Sequence, residues 1–72
     1  MYVAIRIQGH LNHSWQEWLE NLQIVHKDDG TSWLSGTLPD QAALYGILMK
    51  LNRLSLTLLS LEWQEMPRDE NA

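Results

Sequence analysis

Three histidines are the residues of this chain whose type and spacing come nearest to a chemical site. His10 and His13 have H-x-x-H spacing, and a neutral imidazole is a common metal ligand. A third ligand would have to be His26 or a carboxylate, and no sequence spacing indicates which. His10 and His13 also fall between a predicted strand and a predicted helix, where they can instead bond loop backbone. We therefore predict no metal site and no cofactor, and we leave any functional role of the three histidines open.

The serines, carboxylates and glycines show no catalytic or nucleotide-binding pattern. No serine lies in a G-x-S-x-G sequence, and the chain has no cysteine to act as a nucleophile. The pairs Glu17/Glu20 and Asp28/Asp29 are typical of a solvated helix surface and of a turn. The four glycines lack the spacing of a P-loop or a dinucleotide-binding loop. We predict no catalytic residues and favour a binding protein over an enzyme, although an active site between subunits remains an alternative.

Size and charge narrow the classes of protein further. The 72 residues carry 5 basic and 9 acidic side chains, a net charge of −4, and 44% of them are hydrophobic. This composition fits one globular domain, whereas a nucleic-acid backbone requires clustered Lys and Arg. The longest apolar stretch, 54–61, is too short for a membrane helix, and the N-terminus lacks the pattern of a signal peptide. We expect a soluble cytoplasmic protein without membrane contact, and nucleic acid is disfavoured as a partner.

Hydrophobic periodicity predicts six elements in the order β-α-β-β-α-β. Ser14 with Glu17 has capping-box spacing, which predicts the start of a short helix. Asp29-Gly30 predicts a hairpin turn, and Pro39-Asp40 predicts the start of a second helix. The predicted strands are 2–8, 22–27, 31–38 and 56–64, and the predicted helices are 14–21 and 39–54.

This order predicts an α+β domain of the ferredoxin-like type, with a four-stranded antiparallel sheet and two helices on one face. The alternative is a meander in which the short helix is only a capping loop. We assign 1–66 to the domain and 67–72 to a disordered tail, because residues from Pro67 onward lack apolar periodicity. The predicted core consists of Val3, Ile5, Ile7, Trp15, Trp18, Leu19, Ile24, Leu34, Leu44, Ile47, Leu48, Leu51, Leu59, Leu61 and Trp63.

Two stretches of the chain carry a family resemblance. The first is Gly9-His10-Leu11 with Trp15 and Trp18-Leu19 (GHL…W..WL), and the second is 40–48 with 58–61 (DQAALYGIL…LLSL). They resemble a family of short, uncharacterised bacterial proteins, and the resemblance covers nearly the whole chain. It implies the predicted element order but no activity. Ser55 stands where the family pattern implies a glycine that closes the helix.

The sheet face away from the helices is predicted to carry an apolar patch. Tyr2, Val25, Trp33 and Leu58 would lie there, among Arg6, Lys27, Ser60 and Glu62. RNA-binding modules of this topology place stacking aromatic residues on that face, but the acidic net charge argues against that function. A dimer interface explains the patch without positive charge.

Self-association is also expected from the size of the chain. A domain this small buries only about 60% of its unfolded surface, and this one has no disulfide to stabilise it. We therefore predict a small homo-oligomeric interaction or ligand-binding module of unknown specificity, at least a homodimer, with Tyr2, Val25, Trp33 and Leu58 at its interface.

Gly46 is an unusual residue for the middle of the second helix, because glycine costs about 1 kcal/mol there relative to alanine. Together with Ala42 it forms a small-residue patch that another backbone can approach. We favour close packing within the chain, with a helix contact between subunits as the alternative.

Overall fold

The computed structural model describes residues 1–65, which form a four-stranded antiparallel sheet and one α-helix. The elements are β1 (Tyr2–Gln8), two 3-10 turns (His13–Trp15 and Glu17–Leu19), β2 (Gln23–His26), β3 (Thr31–Thr37), α1 (Gln41–Arg53) and β4 (Leu58–Gln64). The order of strands across the sheet is β2-β3-β1-β4, and all three pairings are antiparallel. The predicted α+β class and four-stranded antiparallel sheet are confirmed. The predicted tail, 67–72, lies outside the described residues.

The first predicted helix, 14–21, does not form, and two 3-10 turns occupy its place. Asn12 caps the first turn in place of Ser14: its side chain accepts a hydrogen bond from the Ser14 amide. The backbone is left-handed at Glu20 (φ 61°) and Asn21 (φ 60°), and this conformation ends the second turn. Residues 1–65 therefore contain one α-helix rather than two, and the predicted ferredoxin-like βαββαβ order is not matched.

The two turns bring two tryptophans together. The rings of Trp15, at the end of the first turn, and Trp18, in the second, contact each other with centroids 5.0 Å apart. Trp18 is half-buried, and the Nζ of Lys50 lies 5.3 Å from its ring centroid. Trp15 is exposed, so its predicted place in the core is wrong.

The core lies between the sheet and α1. It consists of apolar residues from the inward side of the sheet, the segment before β2 and one stripe of α1: Val3, Ile5, Ile7, Leu11, Leu19, Leu22, Ile24, Leu34, Leu38, Leu44, Ile47 and Leu51. The sequence analysis missed Leu11, Leu22 and Leu38. It also placed Leu59 and Trp63 in the core, although both are exposed.

Two local interactions begin and end α1. The carboxylate of Asp40 accepts a hydrogen bond (2.9 Å) from an amide of the first turn. At the other end, Ser55 has a φ of 60°, and the Leu56 amide donates to the Leu51 carbonyl (3.1 Å). This is the Schellman pattern, and here serine adopts the left-handed conformation that usually favours glycine. No helix within residues 1–65 has the length and apolar character needed to cross a membrane.

Gly46 lies on α1 at a point that no other part of residues 1–65 approaches closely. Apart from the neighbouring backbone of α1 itself, a Cβ built there would meet no described atom within 4 Å. The expected close packing within the chain is therefore wrong, and a contact between subunits stays a prediction.

Candidate functional site

One face of the sheet is not covered by α1, and we call it the open face. It is defined by side chains that pair across neighbouring strands: Tyr2, Ala4 and Arg6 of β1, Val25 of β2, Trp33 and Ser35 of β3, and Ser60 and Glu62 of β4. Side chains alternate between the two faces of a strand, so the residues between them point towards α1. The open face thus rests directly on the buried core.

Three of the four predicted interface residues lie on the open face. Tyr2, Val25 and Trp33 are 44%, 37% and 39% exposed. Val25 and Trp33 are direct partners on neighbouring strands, and Trp33 also pairs with Arg6. Tyr2 is four residues from Arg6 along β1, about 13 Å away at the usual rise per residue. The three apolar residues therefore form a pair and a separate tyrosine rather than one continuous patch.

Leu58, the fourth predicted interface residue, lies on the other face. Arg6 pairs with Ser60, but the next residue, Ile7, pairs with Leu58, so the register shifts between them and Leu59 has no partner on β1. One extra residue in a strand reverses the alternation beyond it. Leu58 consequently shares the face of the buried Ile7, and its predicted placement is wrong.

Trp33 lies at the centre of the open face with two cations beside its ring. The Nζ of Lys27 is 4.5 Å from the ring centroid, and the guanidinium carbon of Arg6 is 5.6 Å from it. Both distances are in the range of cation–π attraction. A shallow cavity of about 150 Å³ adjoins the ring, and its lining includes Ala4 and Glu62. The surface therefore combines an aromatic ring, positive charge beside it and a carboxylate further away.

A chain of hydrogen bonds orients the Trp33 indole. Its Nε1 donates to the Oγ1 of Thr31 (3.2 Å), and the Thr31 hydroxyl donates to the carboxylate of Asp29 (2.6 Å). The hydroxyl and the backbone amide of Thr31 both bond this carboxylate and lower the pKa of Asp29 below its ordinary value of 3.8. Asp29 precedes Gly30, which has a φ of 85° in the hairpin turn. The turn that the sequence predicted therefore also holds the aromatic ring.

The three histidines come together although they are distant in sequence. The rings of His10 and His13 each stack on His26, with centroids 4.6 Å apart in both pairs. The Nε2 of His10 lies 2.9 Å from the carbonyl oxygen of Lys27, and the Nε2 of His26 lies 2.5 Å from that of Leu11. Because a carbonyl oxygen only accepts, each Nε2 carries a proton and donates it.

This stack does not have the geometry of a metal site. Imidazole lone pairs lie in the ring plane, so nearly parallel rings do not direct three nitrogens at one point. Within residues 1–65, no group of three or more His, Cys, Asp or Glu side chains is placed to hold a metal ion. The contacts instead join the loop after β1 to the end of β2.

Ser32 is the structurally important residue that the sequence analysis did not single out. It is fully buried, donates from its hydroxyl to the Gly9 carbonyl (2.7 Å) and accepts from the Leu11 amide (2.8 Å). These two hydrogen bonds attach the loop after β1, which contains His10, to β3. A polar residue at an inward position of a strand was the only signal for it in the sequence.

The fold and this surface define a small α+β domain whose sheet has one open face. A family model described as Domain of unknown function (DUF8691) matches residues 2–62, and the chain belongs to this family. The match agrees with the predicted uncharacterised family, whereas the two motifs and the bacterial origin stay predictions. Neither a search of curated proteins nor a search of solved structures found a match.

Proposed function

We propose that this protein is a small homo-oligomeric binding module and that the open face is its binding surface. The observation that carries the proposal is Trp33: the ring is 39% exposed, oriented by its hydrogen bond to Thr31 and flanked by Lys27 and Arg6. A fixed aromatic ring gives a large contact area at a small entropy cost, which is why tryptophan is frequent at the centres of binding surfaces.

The charges around the ring indicate what kind of ligand fits. Two cations beside Trp33 favour an anionic group, and the exposed indole favours an aromatic or apolar group next to it. Glu62 on the same face disfavours a second anionic group on the β4 side. The proposed ligand is therefore a molecule or segment that carries an aromatic group and a single adjacent anionic group.

A titration with phenyl phosphate tests this ligand class, with phenol and inorganic phosphate as controls. In NMR spectra of ¹⁵N-labelled protein, we expect phenyl phosphate to shift the Trp33 indole signal more than either control does. Lys27→Gln should weaken this binding several-fold. Lys50→Gln, which removes a cation beside Trp18 instead, should leave the binding unchanged. No shift of the Trp33 signal at about 10 mM phenyl phosphate, a concentration that detects weak fragments, would contradict the proposal.

Single-stranded nucleic acid is a second candidate ligand, because a stacking aromatic ring beside two cations suits a base and its phosphate. The net charge of −4 counts against it. Titration with a uridine hexanucleotide at low and high salt separates the two candidates, since phosphate-backbone binding weakens steeply with salt.

For the fold, we propose a reduced ferredoxin-like arrangement in which the 3-10 turns replace the first helix. The position of β1 between β3 and β4, with β2 at one edge, supports this relationship.

A further inference from the structure

Several large exposed apolar side chains lie along β4 and the neighbouring flank of α1. Among the described residues, nine large hydrophobic side chains are exposed, and three of them are on the open face. Four others are Leu58 (46%), Leu59 (41%) and Trp63 (51%) of β4, with Tyr45 (57%) of α1. We call these four residues the β4 edge surface.

The β4 edge surface is exposed because a single helix cannot cover four strands. A helix with its side chains is about 10–12 Å wide, whereas four strands span about 19 Å. Val3 and Ile7 of β1 are fully buried, but their partners on β4, Trp63 and Leu58, are about half exposed on the same face. The helix α1 therefore covers the inner face of β1 but leaves much of β4 exposed.

The flank of α1 that faces β4 continues this surface. Gln41 lines a groove that also contains Trp63, and Leu48 lines a second groove that also contains Leu58. Tyr45 is four residues after Gln41 and three before Leu48, so it lies on the same flank. Gln41 donates a hydrogen bond to the Tyr45 hydroxyl (2.8 Å), which fixes the phenol ring there.

β4 has only part of the protection that is usual for an edge strand: one extra residue at Leu59 and the charge of Glu62. Natural edges are often also short, or carry Lys or Pro. β2, at the other edge, has four residues and is followed by Lys27, whereas β4 has seven residues, L-L-S-L-E-W-Q, without Lys, Arg or Pro. A long apolar edge of this kind is suited to pairing with another strand.

We propose that β4 pairs antiparallel with β4 of a second copy of this chain, so that two four-stranded sheets join into one of eight strands. A two-fold axis at Leu61 places Leu59 opposite Trp63 of the partner subunit and Ser60 opposite Glu62 of the partner subunit. An axis at Glu62 would instead place two carboxylates opposite each other, which is unfavourable. The same pairing places the two α1 flanks that carry Tyr45 on the same side of the joined sheet, one on each side of the axis.

The area available is sufficient for a stable contact. Aromatic side chains bury about 150–250 Å² each and leucines somewhat less, so four side chains that are about half exposed offer about 400 Å² per copy. With the polar side chains and backbone of the paired edge, the total approaches about 1,000 Å², the lower limit for a specific interface, and pairing adds about six backbone hydrogen bonds. The inference gives the homo-oligomer of the proposed function its interface and does not depend on what the open face binds.

The test compares molar masses by light scattering on a sizing column at about 100 µM, where a micromolar dimer is complete. We expect the Leu59→Lys, Trp63→Lys double variant to lose half the mass of the wild type and to retain its circular dichroism spectrum. Val25→Lys is the matched control, because Val25 is an apolar residue of similar exposure on the other edge strand. It should keep the mass of the wild type.

Three outcomes would overturn the proposal. The first is a monomeric wild type, which shows that no second copy binds. The second is a wild type that is monomeric but associates once residues 66–72 are deleted, which shows that the chain's own segment occupies the edge. A dimer that Trp33→Asp dissociates, but the double variant does not, puts the contact on the open face, as the sequence analysis expected.

A second measurement decides the matter if the double variant does not fold. In a mixture of ¹³C-labelled and unlabelled wild-type protein, we expect intermolecular contacts between Leu59 methyl protons and the Trp63 indole of the partner subunit. Their absence in a dimer would exclude the proposed register. Phenyl phosphate binding by the monomeric double variant tests the open face separately, so that failure of one proposal does not imply failure of the other.

Discussion

Replacement of Ser32 by alanine should destabilise the domain strongly, although it removes only one oxygen atom. The Ser32 hydroxyl bonds two backbone groups of the loop after β1, the Gly9 carbonyl and the Leu11 amide. Leu11 is 4% exposed, so its amide cannot reach water when the hydroxyl is gone. Gly9 is half-buried, and its carbonyl can recover part of its hydration.

The size of the effect follows from these two groups. A buried backbone group without a hydrogen-bond partner costs about 1–3 kcal/mol. In this variant the Leu11 amide carries the full cost and the Gly9 carbonyl carries part of it. We therefore expect Ser32→Ala to lower the free energy of unfolding by about 2–3 kcal/mol. A domain of this size has a total stability of about 3–10 kcal/mol, so the loss is a substantial fraction.

Urea denaturation, followed by tryptophan fluorescence and circular dichroism, measures this change. Wild type and variant must be compared at one protein concentration, since association stabilises the folded state. Ser35→Ala is the matched control: Ser35 lies on the same strand, but it is half-buried on the open face, and its loss should cost less than about 0.5 kcal/mol. A Ser32→Ala variant as stable as Ser35→Ala would refute the role assigned to the hydroxyl.

Three further predictions concern single backbone and turn positions. Ser55→Gly should raise the stability by about 1 kcal/mol, or the melting temperature by about 4–8 °C, because glycine adopts the observed φ of 60° without strain. Gly46→Ala should stabilise the helix by up to about 1 kcal/mol in thermal melts, since a Cβ there has no atom of the described residues within 4 Å beyond the neighbouring backbone of α1; a loss of stability would contradict this. The folded state holds the pKa of Asp29 below its ordinary value of 3.8. The stability that this carboxylate contributes is therefore fully present above about pH 3.8, and it is lost as the pH falls through the lowered pKa. Acid titration followed by circular dichroism should therefore show a steeper loss below about pH 4 for the wild type than for Asp29→Asn.

The sheet could be predicted from the sequence because its signals are local. β1 alternates strictly, Asp29-Gly30 marks the hairpin, and Pro39-Asp40 marks the start of α1, although the helix begins at Gln41 with Asp40 as its cap rather than with Pro39 in its first turn. The prediction of the first helix was wrong because the capping signal at Ser14 and Glu17 is equally compatible with a 3-10 turn. The left-handed backbone at Glu20 and Asn21 could not be predicted, since neither residue is a glycine.

The candidate site was only partly predictable. Alternation put Trp33 and Val25 on one face correctly, but the extra residue in β4 that moves Leu58 off that face leaves no mark in the sequence. The stack on His26 depends on contacts between residues 13 and 16 positions apart, which no spacing rule describes. Alternation placed Trp63 in the core with Leu59 and Leu61. It does lie on the same face as Val3, but α1 leaves it 51% exposed.

The association of copies is the claim that connects the open face, the uncovered edge and the small size of the chain. Sedimentation equilibrium of the wild-type protein over a range from about 1 to 200 µM, which brackets micromolar dissociation, tests it most directly. We predict a mass of twice the 8.4 kDa chain at the upper concentrations, with dissociation visible only on dilution. A mass of 8.4 kDa over the whole range would contradict the account, because the exposed leucines and tryptophan of β4 would then face water in a stable monomer.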